Sequence, residues 1–417
     1  MKNPLRPFGL ILALSSLLLL MLSLSIGCSD RSETSSDASS DTSSVSVSSS
    51  DADMTATLLE IYSKQDRFDR LEELIPVLRG LTASQVVVIP EVLELADLAY
   101  REDARILMIA TWSRHDPKAA TKWAMRGEFV EFARSSMFDE TAYRWALADP
   151  NGFVTDMDVA VYSSRGWDKA MLRAMVRGWY ESGQPRLEAF IFDMGRNGND
   201  RQRAMSELIR VKLAREGADA MIAWSGGLSG DLNYKQYARD RLAGDIARID
   251  PARAVAWCDE ICDRVGDSMV SWIAGEWAEK HGEDAMDWVA SRPNSIASRV
   301  GARSAYRKFL LNSPDRAIAW VEATTKEQRS NPILVGPIDM FVTQRSAKQM
   351  YAVAIEWAGY IVDERTRNQA LINNTRRWLR YDKEAAETWL AESSLPENIK
   401  PFAYQRGMIP NSVYKTE

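Results

Sequence analysis

Apolar residues recur at helical spacing through most of the chain, and turn signals interrupt them at regular intervals. Residues 104–112, ARILMIATW, carry apolar groups at helical spacing with no glycine or proline, which predicts a helix. Asp116-Pro117 then signals a turn, and a second segment closes on Trp123. The phrase at 112–123, WSRHDPKAATKW, therefore reads helix, tight turn, helix. Comparable phrases stand at 179–190 (WYESGQPRLEAF), 213–224 (LAREGADAMIAW), 246–257 (IARIDPARAVAW), 277–288 (WAEKHGEDAMDW), 309–320 (FLLNSPDRAIAW) and 378–389 (WLRYDKEAAETW). Each opens on a large apolar residue and closes, after ten residues, on Trp or Phe.

From Phe190 to Trp320 the closing aromatics step by 34, 33, 31 and 32 residues. Two further copies fill the remaining gaps. WALADPNGF at 145–153 keeps Trp145 and Asp149-Pro150 but lacks the closing aromatic, and QMYAVAIEWAGY supplies Trp357 after a longer lead-in. A period in this range signals a repeat array. The expected fold is all-α: a right-handed superhelical α-solenoid of about nine helix-turn-helix repeats over residues 101–400.

Local chemistry explains the unit. Aspartate accepts backbone N–H bonds at a helix start and proline fits the first helical position. Asp116-Pro117, Asp149-Pro150 and Asp250-Pro251 follow that rule, and Ser313-Pro314 is the same device with serine. His281-Gly282 and Gly183 supply the break elsewhere. Ala120, Ala254, Ala285, Ala317, Ala354 and Ala386 all sit three before an aromatic, on the same helix face. A small side chain there lets a neighbouring helix approach while the aromatic fills the space beside it. Trp112, Trp123, Trp145, Trp179, Trp224, Trp257, Trp277, Trp288, Trp320, Trp357, Trp378 and Trp389 are thus the expected packing spine, with Trp167 and Trp272 outside it. Burying such a ring is worth roughly 3–5 kcal/mol by truncation to alanine. His115 beside Asp116 resembles a catalytic pair, but the turn recurs along the chain, so Asp116 is read as a helix cap.

The N-terminus has a different pattern. Lys2 and Arg6 precede an apolar run from Phe8 to Ile26, followed by Gly27-Cys28, the layout of a secretory signal. Leu24, Ile26, Gly27 and Cys28 resemble the lipobox of bacterial lipoproteins, although Ser25 stands where that family usually has leucine. The resemblance implies cleavage of residues 1–27 and lipid modification of Cys28; the alternative is an uncleaved anchor. Residues 28–53 are rich in Ser and Asp and predict a disordered tether. Residues 54–100 are helical in pattern but out of register, an expected N-terminal cap, and residues 401–417 read as a frayed tail. Export would place the body in the cell envelope, facing the periplasm or the cell surface.

The repeat phrase resembles helical-hairpin repeats of uncharacterised exported proteins from planctomycete- and verrucomicrobium-like bacteria. In unit length it is similar to TPR and Sel1 solenoids, but the Gly and Tyr of the TPR pattern are missing. The resemblance covers about two-thirds of the chain. It implies a superhelical scaffold and carries no catalytic residues with it.

Charge and composition narrow the functions. The formal net charge is −6, against a nucleic-acid partner, which needs a concentrated basic face. Two histidines in 417 residues leave little room for a histidine metal site or hydrolase triad. No phosphate loop, HExxH, CxxC or GxSxG motif is present. No catalytic, metal or cofactor residue is therefore assigned. Cys258 and Cys262 share a helix face; two small buried residues is the favoured reading, over a disulfide or a soft-metal site. Arg105, Arg173, Arg239, Arg303 and Arg367 recur near the starts of first helices. Pairing with an acid in the next unit is favoured over lining a groove for an acidic partner. Arg376, Arg377 and Arg380 read as a solvated face. The expected function is a membrane-tethered, non-enzymatic scaffold that binds proteins or peptides in the cell envelope. The alternatives are an α/α-toroid enzyme acting on polysaccharide, with Glu283 and Asp284 as candidate acids, or a structural spacer.

Overall fold

The computed structural model describes residues 49–96, 102–126, 131–161, 168–194, 198–265 and 268–414, all within one compact unit, Ser49–Glu417. The signal segment, Cys28, most of the tether and Trp167 lie outside the described residues. Among the described residues there is no strand: the chain is all-α, with 22 helices packed together.

The N-terminal cap comprises α1 (Ser49–Ser63), α2 (Arg67–Gly80), a 3-10 turn at Val86–Val88 and α3 (Ile89–Leu95). Helix α1 begins inside the segment expected to be disordered and ties down Ser49–Asp53. Seven hairpins follow, each a first helix joined by a tight turn to a second: α4 (Glu102–His115) with α5 (Pro117–Arg126), α6 (Glu131–Ala148) with α7 (Pro150–Val161), α8 (Lys169–Ser182) with α9 (Leu187–Asp193), α10 (Gly198–Glu216) with α11 (Ala218–Gly226), α12 (Leu232–Ile249) with α13 (Pro251–Val265), α14 (Ser268–Trp277) with α15 (Gly282–Ala290), and α16 (Ile296–Asn312) with α17 (Pro314–Glu322). After an insertion carrying α18 (Lys326–Arg329) come α19 (Val335–Ala347) with α20 (Tyr351–Ala358), and α21 (Glu364–Tyr381) with α22 (Lys383–Glu392). The insertion accounts for the longer lead-in to Trp357.

Turn chemistry largely matches the sequence. Asp116 accepts from the Ala119 N–H at 2.9 Å, Asp149 from Gly152 at 2.8 Å and Asp250 from Arg253 at 3.0 Å. These bonds satisfy helix-start donors that would otherwise have no partner. Ser313 departs from the expectation: its side chain makes no capping bond, and Pro314 alone starts α17.

The first helices form one layer. Each packs on the first helix of the units before and after it, α4 on α6 through to α19 on α21. Each second helix seats against its own partner and the next first helix. Where first helices meet, side chains are small. A Cβ on Gly178 of α8 would lie 2.2 Å from the Tyr143 carbonyl oxygen of α6, so the two backbones touch there. On Gly275 it would meet Ser304 Oγ at 2.8 Å, and on Gly301 the Ser271 Cα at 3.2 Å. The six alanines three before an aromatic are all fully buried.

In three hairpins the regular spacing in the sequence is a ring contact across the turn. Trp112 packs on Trp123 with centroids 6.3 Å apart, Trp179 on Phe190 at 5.2 Å and Trp277 on Trp288 at 6.0 Å. The copy at 145–153 is not missing its aromatic. Phe153 occupies the small-residue position, fully buried, and packs on Trp145 at 4.8 Å. Trp112, Trp145, Trp179, Trp257 and Trp357 are buried, whereas Trp123, Trp224, Trp277, Trp288, Trp320, Trp378 and Trp389 are only partly so. The half-buried rings use their edges: Trp224 Nε1 donates to Glu188 and Trp320 Nε1 to Asp287, each at 2.9 Å and each one repeat away. Trp272 packs edge-on against Tyr237 of the preceding unit at 6.2 Å. The alanines, more than the tryptophans, are the uniformly buried positions.

The C-terminal segment is docked, not frayed. Arg376 Nη2 donates to the Phe402 and Gly407 carbonyls at 2.9 and 3.1 Å, and the Ile409 N–H donates to Gln369 at 2.8 Å. Ile399, Ala403 and Ile409 bury beside Ile372, Leu390 and Leu395 in a second small core. Arg376 is therefore a clamp rather than part of a solvated face.

Two stability outcomes follow. Gly178→Ala lowers the urea midpoint by an amount equivalent to about 1–3 kcal/mol, whereas Gly226→Ala, where a Cβ meets nothing within 4 Å, stays within about 1 kcal/mol of the parent. Ending the chain at Glu397 uncovers Ile372 and Leu390 and produces concentration-dependent association by light scattering.

Candidate functional site

Charged side chains connect one first helix to the next. Arg177 of α8 reaches back to Asp139 of α6 at 2.8 Å and forward to Glu207 of α10 at 3.7 Å. Arg248 of α12 pairs with Glu276 of α14, and Lys308 of α16 holds the same carboxylate at 3.1 Å. Burial works against the Glu276 charge, but these two cations keep its carboxyl below the usual range. Within helices, Glu207 accepts from Arg210 Nε at 3.0 Å, and Asp245 takes a two-pronged bond from Arg241 at 2.8 and 3.0 Å.

A polar cleft of about 810 Å³ opens across this layer. Ser135 of α6 lies at one side, and the first turns of α8 contribute Asp168, Lys169, Ala170 and Arg173. Helix α10 forms the floor with Asn199, Gln202, Arg203, Ser206, Glu207 and Arg210, and Tyr237 and Arg241 of α12 close the other side. Five cations and two acids line it, an excess of three positive charges. One of the acids, Asp168, caps α8 through the Ala170 and Met171 N–H groups. The other, Glu207, is buried and engaged by Arg177 and Arg210. Lys169 and Arg173 are exposed, and among the described residues neither has an acidic partner. Ser206 and Tyr237 share a hydrogen bond of 2.8 Å across α10 and α12. Such a cleft can bind an anion and hydrogen-bond an extended polar ligand.

A buried carboxyl sits behind the Tyr237 side. Asp240 accepts from Gln236 at 2.8 Å and from Ser268 of the next unit at 3.0 Å. Burial pushes its pKa up, and those two donors only partly oppose the shift.

The residues singled out in the sequence separate clearly. His115 and Asp116 are exposed on a hairpin turn, with Asp116 used as a cap. Glu283 bridges to Arg316 of the next unit at 3.0 Å, so it belongs to a cross-unit ion pair. Cys258 and Cys262 are joined by a disulfide, the less favoured of the sequence alternatives. Of the five recurring arginines, Arg105 is buried, Arg367 donates to the Ile361 carbonyl at 3.1 Å, and Arg303 lies close enough to Asp339 to offset part of the rise that burial causes in its pKa, which stays raised. Arg239 is half-buried, and Arg173 lines the cleft. Other arginines that reach acids of neighbouring units are Arg177, Arg248, Arg253, Arg292 and Arg316. The remaining cleft residues carried no sequence signal, because they come from four units and share no motif.

Among the described residues, no group of three His, Cys, Asp or Glu is placed to hold a metal ion, and no helix is long and apolar enough to cross a membrane. No family model, curated protein or solved structure matches the chain.

The buried acid gives a pH test. A raised native pKa favours the protonated folded state, so ionised Asp240 costs stability at neutral pH and that cost fades as pH falls through the native pKa. Asp240→Asn raises the thermal midpoint at pH 7, and its advantage over the parent shrinks steadily towards pH 4.

Proposed function

We propose that this protein is a lipid-tethered, non-enzymatic scaffold of the cell envelope that binds a protein or peptide partner on the face formed by its first helices. The carrying observation is the cleft across α8, α10 and α12, in which Lys169 and Arg173 have no acidic partner among the described residues. A cleft that draws on four units needs all four in register, so an extended ligand reads the array and not a single hairpin.

The array itself is read as a right-handed superhelical α-solenoid. Its support is that polar contacts join residues one period apart: Arg253 to Asp219, Arg292 to Asp259 and Arg316 to Glu283 are separated by 34, 33 and 33 residues. The first and last elements, too, pack chiefly on their own sequence neighbours, as in an open array. Residues 49–417 would then give a radius of gyration in solution scattering well above the roughly 21 Å of a compact domain of that length. A value near 21 Å would favour a closed ring.

Export rests on the N-terminal pattern and on the Cys258–Cys262 disulfide, because disulfides persist in oxidising compartments. Cys28 is the proposed lipidation site, followed by a polar tether. One acyl chain binds membranes only reversibly, whereas multiple chains anchor stably. Cys28→Ala therefore abolishes fatty-acid labelling and moves the chain out of the membrane fraction. Mild crosslinking of the tagged protein in its own cells, followed by affinity capture, recovers a near-stoichiometric protein partner. Recovery of glycan fragments alone would redirect the reading to a polysaccharide-active protein.

A further inference from the structure

The charge on the cleft runs opposite to that of the molecule. The chain as a whole carries −6, yet the cleft walls carry an excess of three positive charges. We propose that the cleft holds an extended acidic peptide segment through its side-chain carboxylates, with Lys169 and Arg173 as the primary contacts. This rests on the scaffold reading above and names the chemistry of its partner.

Three observations support the choice. First, the cations are pre-positioned. Glu207 and Asp245 are 5% and 4% exposed and lie under the cleft, where they hold Arg210 and Arg241 by charge-assisted bonds. Those guanidiniums are fixed in place before a ligand arrives, and a guanidinium has more donors than one carboxylate uses. Second, Lys169 and Arg173 lie four apart on α8, about 6 Å along the axis at 1.5 Å per residue. Alternate side chains of an extended peptide on one face recur every 6.6–6.8 Å or so. Carboxylates at every second position therefore match these two cations, which have no acidic partner among the described residues. Third, the cleft offers amide and hydroxyl groups between its charges, Asn199, Gln202 and Ser135 among them. Amides donate and accept, as a peptide backbone does. The cations are spread over three helices and do not converge on one point, which suits separate carboxylates better than a single phosphate.

The test uses fluorescence anisotropy with a labelled nine-residue peptide of alternating Glu and Ser, its termini blocked. Its Gln/Ser counterpart, inorganic phosphate, polyphosphate and a sulfated glycan serve as competitors. The full chain binds the Glu/Ser peptide, and binding weakens with salt because exposed charges are screened beyond about 8 Å at physiological ionic strength. Lys169→Glu combined with Arg173→Glu weakens it at least tenfold. A control pair with the same charge change, Arg365→Glu with Arg380→Glu, changes it less than twofold. Equal binding of the Gln/Ser peptide, or equal loss in the control pair, overturns the proposal. Tighter, Lys169- and Arg173-dependent binding of phosphate, polyphosphate or glycan overturns the peptide assignment. Crosslinked capture separates the two readings: a protein partner retained by the Lys169/Arg173 double variant overturns the cleft proposal but leaves the scaffold standing. Loss of any partner from the parent chain overturns both.

Discussion

Successive first helices can stack closely only where at least one of them gives up its side chain. At Gly178 the constraint is sharpest: the space a methyl group would need is taken by the Tyr143 carbonyl and the Leu147 amide of α6. At Gly244, Gly275 and Gly301 the nearest atoms would lie farther off, at 3.0, 2.8 and 3.2 Å. The second helices depend on this layer, because each must touch two neighbouring first helices at once. The buried alanines serve the same geometry from the other side, and aromatic pairs span the turn where both residues are rings, as at Trp112–Trp123, Trp179–Phe190 and Trp277–Trp288. Density in such an interior leaves little room for adjustment. Larger residues at the small position, Phe153 beside Trp145, Leu187 and Met221, are accommodated and buried as well.

The polar side of the layer follows from the same stacking. Bringing first helices together places long side chains from neighbouring units within reach, and acids and bases sort into pairs across the seams. Several acids are carried under the surface in the process, among them Glu207, Asp240 and Asp245. A buried carboxylate is costly unless cations or donors satisfy it. Arginines consequently lie over the acids and keep donors to spare. Where a cation has no acidic partner among the described residues, as at Lys169 and Arg173, a positive surface remains. The cleft is thus a by-product of packing that becomes a candidate binding surface.

The ends answer a different need. A repeat array buries each unit against the next, so its first and last units present apolar edges. Helices α1–α3 cover one edge. At the other, the Arg376 clamp and the Ile409 strand of chain close over Ile372 and Leu390. A clamp made from backbone carbonyls has no residue-type signature, which is why TRRWLR looked like solvated surface.

The sequence by itself determined the units. Period, turn chemistry and the alanine three before six of the aromatics are local properties, set within a dozen residues, and they led directly to helical hairpins and to Asp116 as a cap. Tertiary structure decided everything that depends on which units meet. It put Phe153 on Trp145, joined Cys258 to Cys262, left seven of the twelve spine tryptophans partly exposed and set Glu283 against Arg316. It also left Arg173 without an acidic partner among the described residues while arginines that looked no different found acids. The physical reason is the range of the interactions. Capping and helix periodicity act between residues close in sequence, whereas ion pairing and cleft formation depend on side-chain positions a whole repeat apart, and those exist only once the helices have stacked.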